Sequence, residues 1–379
     1  MLNNYNPKSP VADSLRTALF DLKDMKKTFW MEYSVWNRSF NKKLKTASVE
    51  IVEGRPKYNF KYLLQKNKKA PLVIIFPSVG EGISSAHSAN IAKIFYNEGY
   101  SILILGSHFH WDFLKSTENN YPGIIENDIK NINLLVNSAI GYLSKKYNRV
   151  FLKRTAIATS LSAYSILFLA SKQMDDSACN IDKFIAICPP FELTYAIDKI
   201  DEVMKKAKDL KHPDVLAIVA SKLTNAYKYP QYVMENLDNL PFSNYEANLI
   251  TAYIFHQKLS DLIFNIETSK NPDIDKKELY GAIDNLNYND YKNKYLCVNS
   301  ISHAQNDLSA LKAISNYLIN KDNYKIFHSI DDYLISQEQL RELKNYAGDK
   351  LVLFSNGSHL GFLYRDEFID ALKKEIKLR

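Results

Sequence analysis

Arg154-Thr155-Ala156-Ile157-Ala158-Thr159-Ser160-Leu161-Ser162-Ala163 runs an apolar strand straight into a helix, with a serine at the junction. A nucleophilic serine at such a point sits on a strained, tight turn. Side chains two before and two after it must be small, or their Cβ substituents collide with the neighbouring strand and helix. Ala158 and Ser162 meet that need for Ser160, and Ala163 helps. Ser162 is the poorer nucleophile, because Tyr164 stands at its own crowded position. The turn exposes the Ser160 hydroxyl. It also sets the Leu161 N–H at a helix N-terminus, where it can face an oxyanion. The competing role for a serine at a strand–helix junction is a helix N-cap.

Working outward, the same rhythm recurs on both sides. Leu72–Phe76, Ile102–Leu105 and Phe184–Cys188 are short apolar runs, the last stopped by Pro189-Pro190. Helical periodicity fills Ser85–Asn97, Ile124–Lys146 and Leu161–Lys172. Apolar strands that do not alternate with polar residues, separated by helices, predict a mostly parallel sheet covered on both faces. Ahead of it, Val49, Ile51, Tyr58, Phe60 and Tyr62 flank Gly54-Arg55-Pro56 and predict a β-hairpin. The pattern resumes with strands at Tyr324–His328 and Lys350–Phe354 and helices at Gln337–Tyr346 and Asp366–Lys377. Between the two halves, Ala196–Asp209, Val215–Tyr227, Asn244–Phe264 and Ala304–Leu318 read as helices without strands. The chain therefore divides into a basic helical extension (1–45), a first α/β part (46–193), a helical insertion (194–320) and a second α/β part (321–379).

Two later segments complete the chemistry. His328-Ser329-Ile330-Asp331-Asp332 is a strand end running into an acidic turn, and Ser355-Asn356-Gly357-Ser358-His359 is a strand end, a small-residue loop and a histidine. The order Ser…Asp…His, each beyond a strand C-terminus, suits an imidazole base whose tautomer is fixed by a carboxylate. Taken singly, the acids could cap the following helix and His359 could be an ordinary loop residue.

These residues resemble the α/β-hydrolase superfamily over roughly 46–379, with the helical insertion where such enzymes commonly carry a cap. The Ser160 turn resembles a degenerate form of its G-x-S-x-G. The acidic turn resembles its H-G-x-x-D, which implies Asp332 as the acid and Asp331 as the fallback. Asn356–His359 resembles its histidine loop. Phe76-Pro77-Ser78-Val79-Gly80 stands where the family has its H-G-x-G turn, which implies a second oxyanion donor at the Val79 N–H beside that of Leu161. His-Gly has become Pro77-Ser78, and the two elbow glycines have become Ala158 and Ser162.

The expected function is cleavage of carboxylic esters through an acyl-enzyme, without metal or organic cofactor. A thioesterase, acyltransferase or peptidase would use the same residues. The degenerate turns also admit an inactive interaction protein on the same scaffold. His108 and Trp111, on the loop after the second parallel strand, are expected to touch substrate. The alternative there is a metal site: Ser107-His108-Phe109-His110-Trp111-Asp112 carries H-x-H-x-D, but Phe113 stands where a further histidine belongs. His87, His212, His256 and His303 join no constellation. The insertion aromatics Tyr195, Tyr227, Tyr229, Tyr232, Tyr245, Tyr253, Phe255 and Phe264 read mainly as helix packing, and any facing a cleft favour an apolar substrate.

Composition excludes other classes. Of 379 residues 46% are hydrophobic and 24% charged, so the chain can build a large core and is not disordered. The longest apolar stretch, Ala156–Ala170, is broken by Thr159, Ser160, Ser162, Tyr164 and Ser165, too polar for a spanning helix. The opening Met-Leu-Asn-Asn-Tyr has no signal-peptide pattern, and Cys179, Cys188 and Cys297 form no disulfide or metal spacing, so a cytoplasmic setting is expected. Residues 1–70 carry a net +9 and the remainder −2. That excess lies ahead of the chemistry, which argues against a nucleic-acid partner and leaves a weak contact with a membrane surface through the N-terminal segment. No glycine-rich phosphate loop is present. The partner expected is a small ester; nothing in the sequence sets the oligomeric state.

Overall fold

A computed structural model describes residues 9–15, 40–118, 121–172, 180–208, 217–219, 221–222, 242–296 and 311–377. Eight strands form one sheet: β1 (Lys45–Val49), β2 (Tyr58–Leu63), β3 (Leu72–Phe76), β4 (Ser101–Ile104), β5 (Arg154–Thr159), β6 (Lys183–Ile187), β7 (Tyr324–Ser329) and β8 (Leu351–Phe354). Their spatial order is β1-β2-β4-β3-β5-β6-β7-β8. β2 runs antiparallel to both neighbours, and every pairing from β4 to β8 is parallel.

The helices among the described residues are α1 (Pro10–Ser14), α2 (Phe40–Lys43), α3 (Ala86–Asn97), α4 (Trp111–Ser116), α5 (Ile125–Tyr147), α6 (Leu161–Lys172), α7 (Leu193–Lys208), α8 (Asn244–Lys270), α9 (Lys276–Ile283), α10 (Tyr288–Tyr291), α11 (Ser315–Asn320), α12 (Gln337–Ala347) and α13 (Asp366–Ile376). A π-helical turn, Lys292–Leu296, follows α10.

Period-two alternation sorts the strand side chains onto two faces. Leu72, Ile74, Ala156, Ala158, Phe184, Ala186 and Ile326 point to one face, where α5, α6, α11 and α12 cover them. Val73, Ile75, Ile157, Ile185, Ile187 and Phe327 point to the other, under α3 and α13. Both faces are therefore buried, which is why these strands read as unbroken apolar runs. α6 lies deepest: Ser162 through Ala170 are all buried. Ile166 and Leu167 are wholly enclosed, and burying each contributes ~1.5–3 kcal/mol.

A third apolar cluster belongs to the segment between β6 and β7. It joins α7, α8, α9 and α10 to Phe109 and Leu114 near α4 and to Leu334 after β7. This layer sits over the ends of the strands that carry the chemistry. Leu311, Ile314, Tyr317 and Leu318 pack instead with the sheet, so the last residues before β7 belong to the α/β layer. Of the helix expected over 215–227, residues 217–219 and 221–222 are described and helical; its other residues and most of the helical extension over 1–45 lie outside the described residues, as do Tyr227, Tyr229, Tyr232, His212, His303, Cys179 and Cys297. No described helix is long and apolar enough to cross a membrane.

Candidate active site

Ser160 occupies the turn between β5 and α6 with φ +55°, in the left-handed region that a serine rarely adopts. Its N–H donates to the Ile187 carbonyl at 2.8 Å, and its carbonyl accepts from the Tyr164 N–H. These bonds hold the turn on β6 and start α6. Ala158 and Ser162 are buried on either side, and the Ser162 hydroxyl has no hydrogen-bond partner. A glycine would have needed none, so the serine at this position carries a polar group that the packing leaves unpaired.

The Ser160 Oγ lies 2.8 Å from His359 Nε2. On the other side of the ring, Nδ1 lies 2.9 Å from Asp332 Oδ2. These partners assign the proton to Nδ1, donated to the carboxylate, and leave Nε2 to accept the serine proton. Asp332 is 3% exposed, and its Oδ1 accepts the Leu334 N–H at 2.9 Å. Burial would raise this carboxyl. The imidazole of His359, with His328 and the Leu334 N–H, reverses that and holds it below the ordinary carboxylate value.

Adjacent acids take different tasks. Asp331 Oδ1 accepts from the Ser358 N–H at 2.8 Å and from the Ser329 hydroxyl at 2.8 Å. It ties the histidine loop to the end of β7. Ser329 Oγ lies within reach of the Ser358 carbonyl as well, at 2.8 Å. Gly357 enters this loop at φ +122°, and a Cβ there would lie 2.7 Å from that of Phe362. Only glycine fits so close an approach.

His328 is fully buried below the acid. Its Nδ1 accepts the Ser329 N–H at 3.0 Å and stands 3.7 Å from Asp332 Oδ2. Burial pushes its pKa down, although the Asp332 carboxylate beside it acts in the opposite direction. Cys188, His328 and Asp332 each offer a donor atom within 4.8 Å of one another, the only such group among the described residues. Each is already engaged: the thiol with the Ser358 carbonyl, the imidazole with Ser329, and the carboxylate with His359. Burial also pushes the Cys188 thiol up, away from the thiolate that a metal requires. The group fits polar support for the histidine loop better than a metal site.

A cavity of about 340 Å³ opens on Ser160. Val79 and Leu161, the two expected oxyanion residues, both line it. The Val79 loop is tied to the serine turn, since Ser78 Oγ and Thr159 Oγ1 are 3.0 Å apart. The remaining wall is largely apolar, with Phe109, Leu193, Ile197, Ile200 and Phe255 prominent. Of its polar groups, the Tyr288 hydroxyl is spent on the Phe255 carbonyl and that of Tyr291 on the Pro122 carbonyl. Lys292 and Asn293, on the π-helical turn, complete the lining.

His108 and Trp111 do not reach this wall. His108 is 3% exposed, with Nε2 3.3 Å from Ser165 Oγ and 3.6 Å from Asp128 Oδ2. Burial pushes the histidine down to about 3 and the aspartate up to about 8, so at neutral pH both are neutral and the contact is not an ion pair. Trp111 opens α4 at the surface, beneath the Lys115 ammonium. The residue between them, Phe109, lines the cavity instead. The H-x-H-x-D ligand set does not assemble either: His108 turns toward Asp128, while His110 Nδ1 accepts the Asp112 N–H and caps α4. Of the insertion aromatics, Phe255 faces the cavity, Phe264 stacks on Tyr280, and Tyr245 and Tyr253 are exposed. The basic N-terminal segment, expected to make a weak contact with a membrane surface, falls mostly on residues 1–8 and 16–39, outside the described residues.

A single sheet ordered β1-β2-β4-β3-β5-β6-β7-β8, with β2 alone reversed against β4 and a serine turn after β5, decides the architecture. The chain has the α/β-hydrolase fold. No protein family and no curated protein matches the sequence. Solved structures that it resembles include an esterase of Pyrococcus furiosus, 10% identical at TM-score 0.46, with 91% of this chain and 94% of that one covered. A fungal esterase from Rhizomucor miehei is 12% identical at TM-score 0.49, covering 99% and 98%. An acylaminoacyl peptidase of Pyrococcus horikoshii is 12% identical at TM-score 0.45, covering 88% of this chain and 40% of that one.

Proposed function

We propose that this α/β-hydrolase-fold protein is a serine hydrolase that cleaves carboxylic esters with an apolar acyl portion. The observation that carries the reading is the continuous Ser160–His359–Asp332 hydrogen-bond chain, at 2.8 and 2.9 Å, opening on a largely apolar cavity. Ser160 attacks the ester carbonyl while His359 Nε2 takes its proton. Asp332 holds the imidazole in the required tautomer and stabilises the imidazolium. The Val79 and Leu161 N–H groups receive the developing oxyanion. His359 then passes the proton to the departing alcohol, and water, activated by the same imidazole, releases the acid from the acyl-enzyme. The left-handed Ser160 backbone supports the assignment, since strain of about 1–3 kcal/mol persists in a buried turn only where surrounding bonds enforce it.

The layer formed by α7 to α10 acts as a cap in this reading. Its apolar side chains favour hydrocarbon over polar acyl groups. The chain is then tested by fluorophosphonate labelling and by turnover of a p-nitrophenyl ester. Wild type is expected to label at Ser160 and to turn over. Ser160→Ala is expected to lose both while unfolding at a similar temperature. Turnover unchanged in that variant overturns the proposal.

A further inference from the structure

The far N-terminal segment lies directly against the loop that bears His359. Ser9 Oγ accepts the Ala12 N–H at 3.1 Å, and Pro10 at the first helical position starts α1 without losing a bond. Ala12, Asp13 and Leu15 are buried. At the end of this short helix, Ser14 Oγ accepts the backbone N–H of His359 at 3.1 Å. The same oxygen lies 3.2 Å from Ser358 Oγ, a partner 344 residues away. It also interacts with the hydroxyl of Tyr333, whose ring lies 6.2 Å from the His359 ring.

Two further contacts seat the segment. Asp13, 1% exposed, has Oδ2 4.0 Å from Arg365 Nη2. Arg365 Nη1 donates to the Asn356 carbonyl at 3.2 Å, so one buried guanidinium faces both the segment and the root of the histidine loop. The Asp13 carbonyl packs against Gly361 so closely that a Cβ at 361 has no room.

The loop needs such support. Ser358 at φ +45° and Leu360 at φ +70° both hold left-handed backbone on either side of His359. Such geometry persists only where surrounding bonds enforce it. Asp331 supplies the bond to the Ser358 N–H, and Ser14 supplies the one to the His359 N–H.

We propose that Ser14 is a positioning residue: by accepting the His359 N–H it fixes the loop so that the imidazole spans Ser160 and Asp332. This rests on the hydrolase reading in taking His359 as the base. The test compares full-length wild type, Ser14→Ala and Ser14→Thr by fluorophosphonate labelling rate, unfolding temperature and the far-downfield proton resonance of the His359–Asp332 hydrogen bond. Ser14→Ala is expected to label about tenfold more slowly, the worth of one ordinary hydrogen bond expressed in a rate. It is also expected to shift the resonance, while Ser14→Thr, which keeps the hydroxyl, recovers most of both. Wild-type labelling and an unshifted resonance in Ser14→Ala overturn the proposal. So does a loss that Ser14→Thr fails to recover at an unchanged unfolding temperature. Should wild type itself not label, the hydrolase reading falls, and the resonance alone decides whether Ser14 positions the ring: a shift in Ser14→Ala upholds it, and no shift overturns it.

Discussion

Replacing Asp332 with asparagine isolates the carboxylate's electrostatic role. The substitution is nearly isosteric, and the amide oxygen can still accept the Leu334 N–H that Oδ1 accepts at 2.9 Å. The other end of the amide then presents N–H toward His359 Nδ1. That reverses the ring tautomer, so Nε2 carries a proton and faces Ser160 Oγ with nothing to accept. The imidazolium also loses its counter-charge. Unit charges 2.9 Å apart attract by ~6 kcal/mol at an effective dielectric of about 20, and both groups are buried. At 1.36 kcal/mol per tenfold, the expected loss in kcat is about 10⁴. The corresponding substitution in chymotrypsin-like proteases costs about the same. Steady-state turnover of a p-nitrophenyl ester at neutral pH measures it, with the unfolding temperature as control. A variant within tenfold of wild type in kcat refutes the reasoning. Asp331→Asn provides the contrast: its loss should appear in the unfolding temperature, since its bonds go to Ser358 and Ser329 and not to the ring.

Two further outcomes follow from the cavity and its surroundings. Asp128 titrates at about 8 in the folded chain against about 3.9 unfolded, so the unfolded state loses its proton first and stability falls as pH rises from about 4 to about 8. Asp128→Asn removes that decline, and its unfolding temperature should gain on wild type toward alkaline pH; parallel curves would contradict the assignment. Lys292 is the one cation on the described cavity wall, and it is half-buried. Lys292→Glu should lower kcat/KM about fivefold for an ester with a terminal carboxylate on its acyl chain, the scale of a half-exposed ion pair, and leave the uncharged analogue unaffected. Equal losses for both esters would argue against it.

The strands were legible because burial on both faces removes the alternation that would otherwise blur a short run, as in Leu72–Phe76 and Phe184–Ile187. The Ser160, Asp332 and His359 stations were legible for a related reason. Each follows a strand end, and a parallel sheet delivers all such ends to one edge. Asp331 and Asp332 could not be separated by spacing, since neighbouring residues in a turn diverge and only their partners distinguish them. The loop after β4 misled for the opposite reason. Polar His108 turned inward to Ser165, while apolar Phe109 turned to the cavity. Nothing in a lone serine at position 14 announces a partner at position 359. That information resides in three dimensions, not in any local pattern. The short α9 and α10 and the π-helical turn also lacked a repeat long enough to show a period.

The contact between residues 14 and 359 has a bearing on the order of folding. The Ser14 acceptor cannot meet its partner until residue 359 has been translated and β8 has added to the sheet, so this support for the histidine loop forms late. With 345 residues between donor and acceptor, this bond closes the longest span of chain among the hydrogen bonds at the site, and the entropy of that closure is offset only once the sheet has brought both segments together.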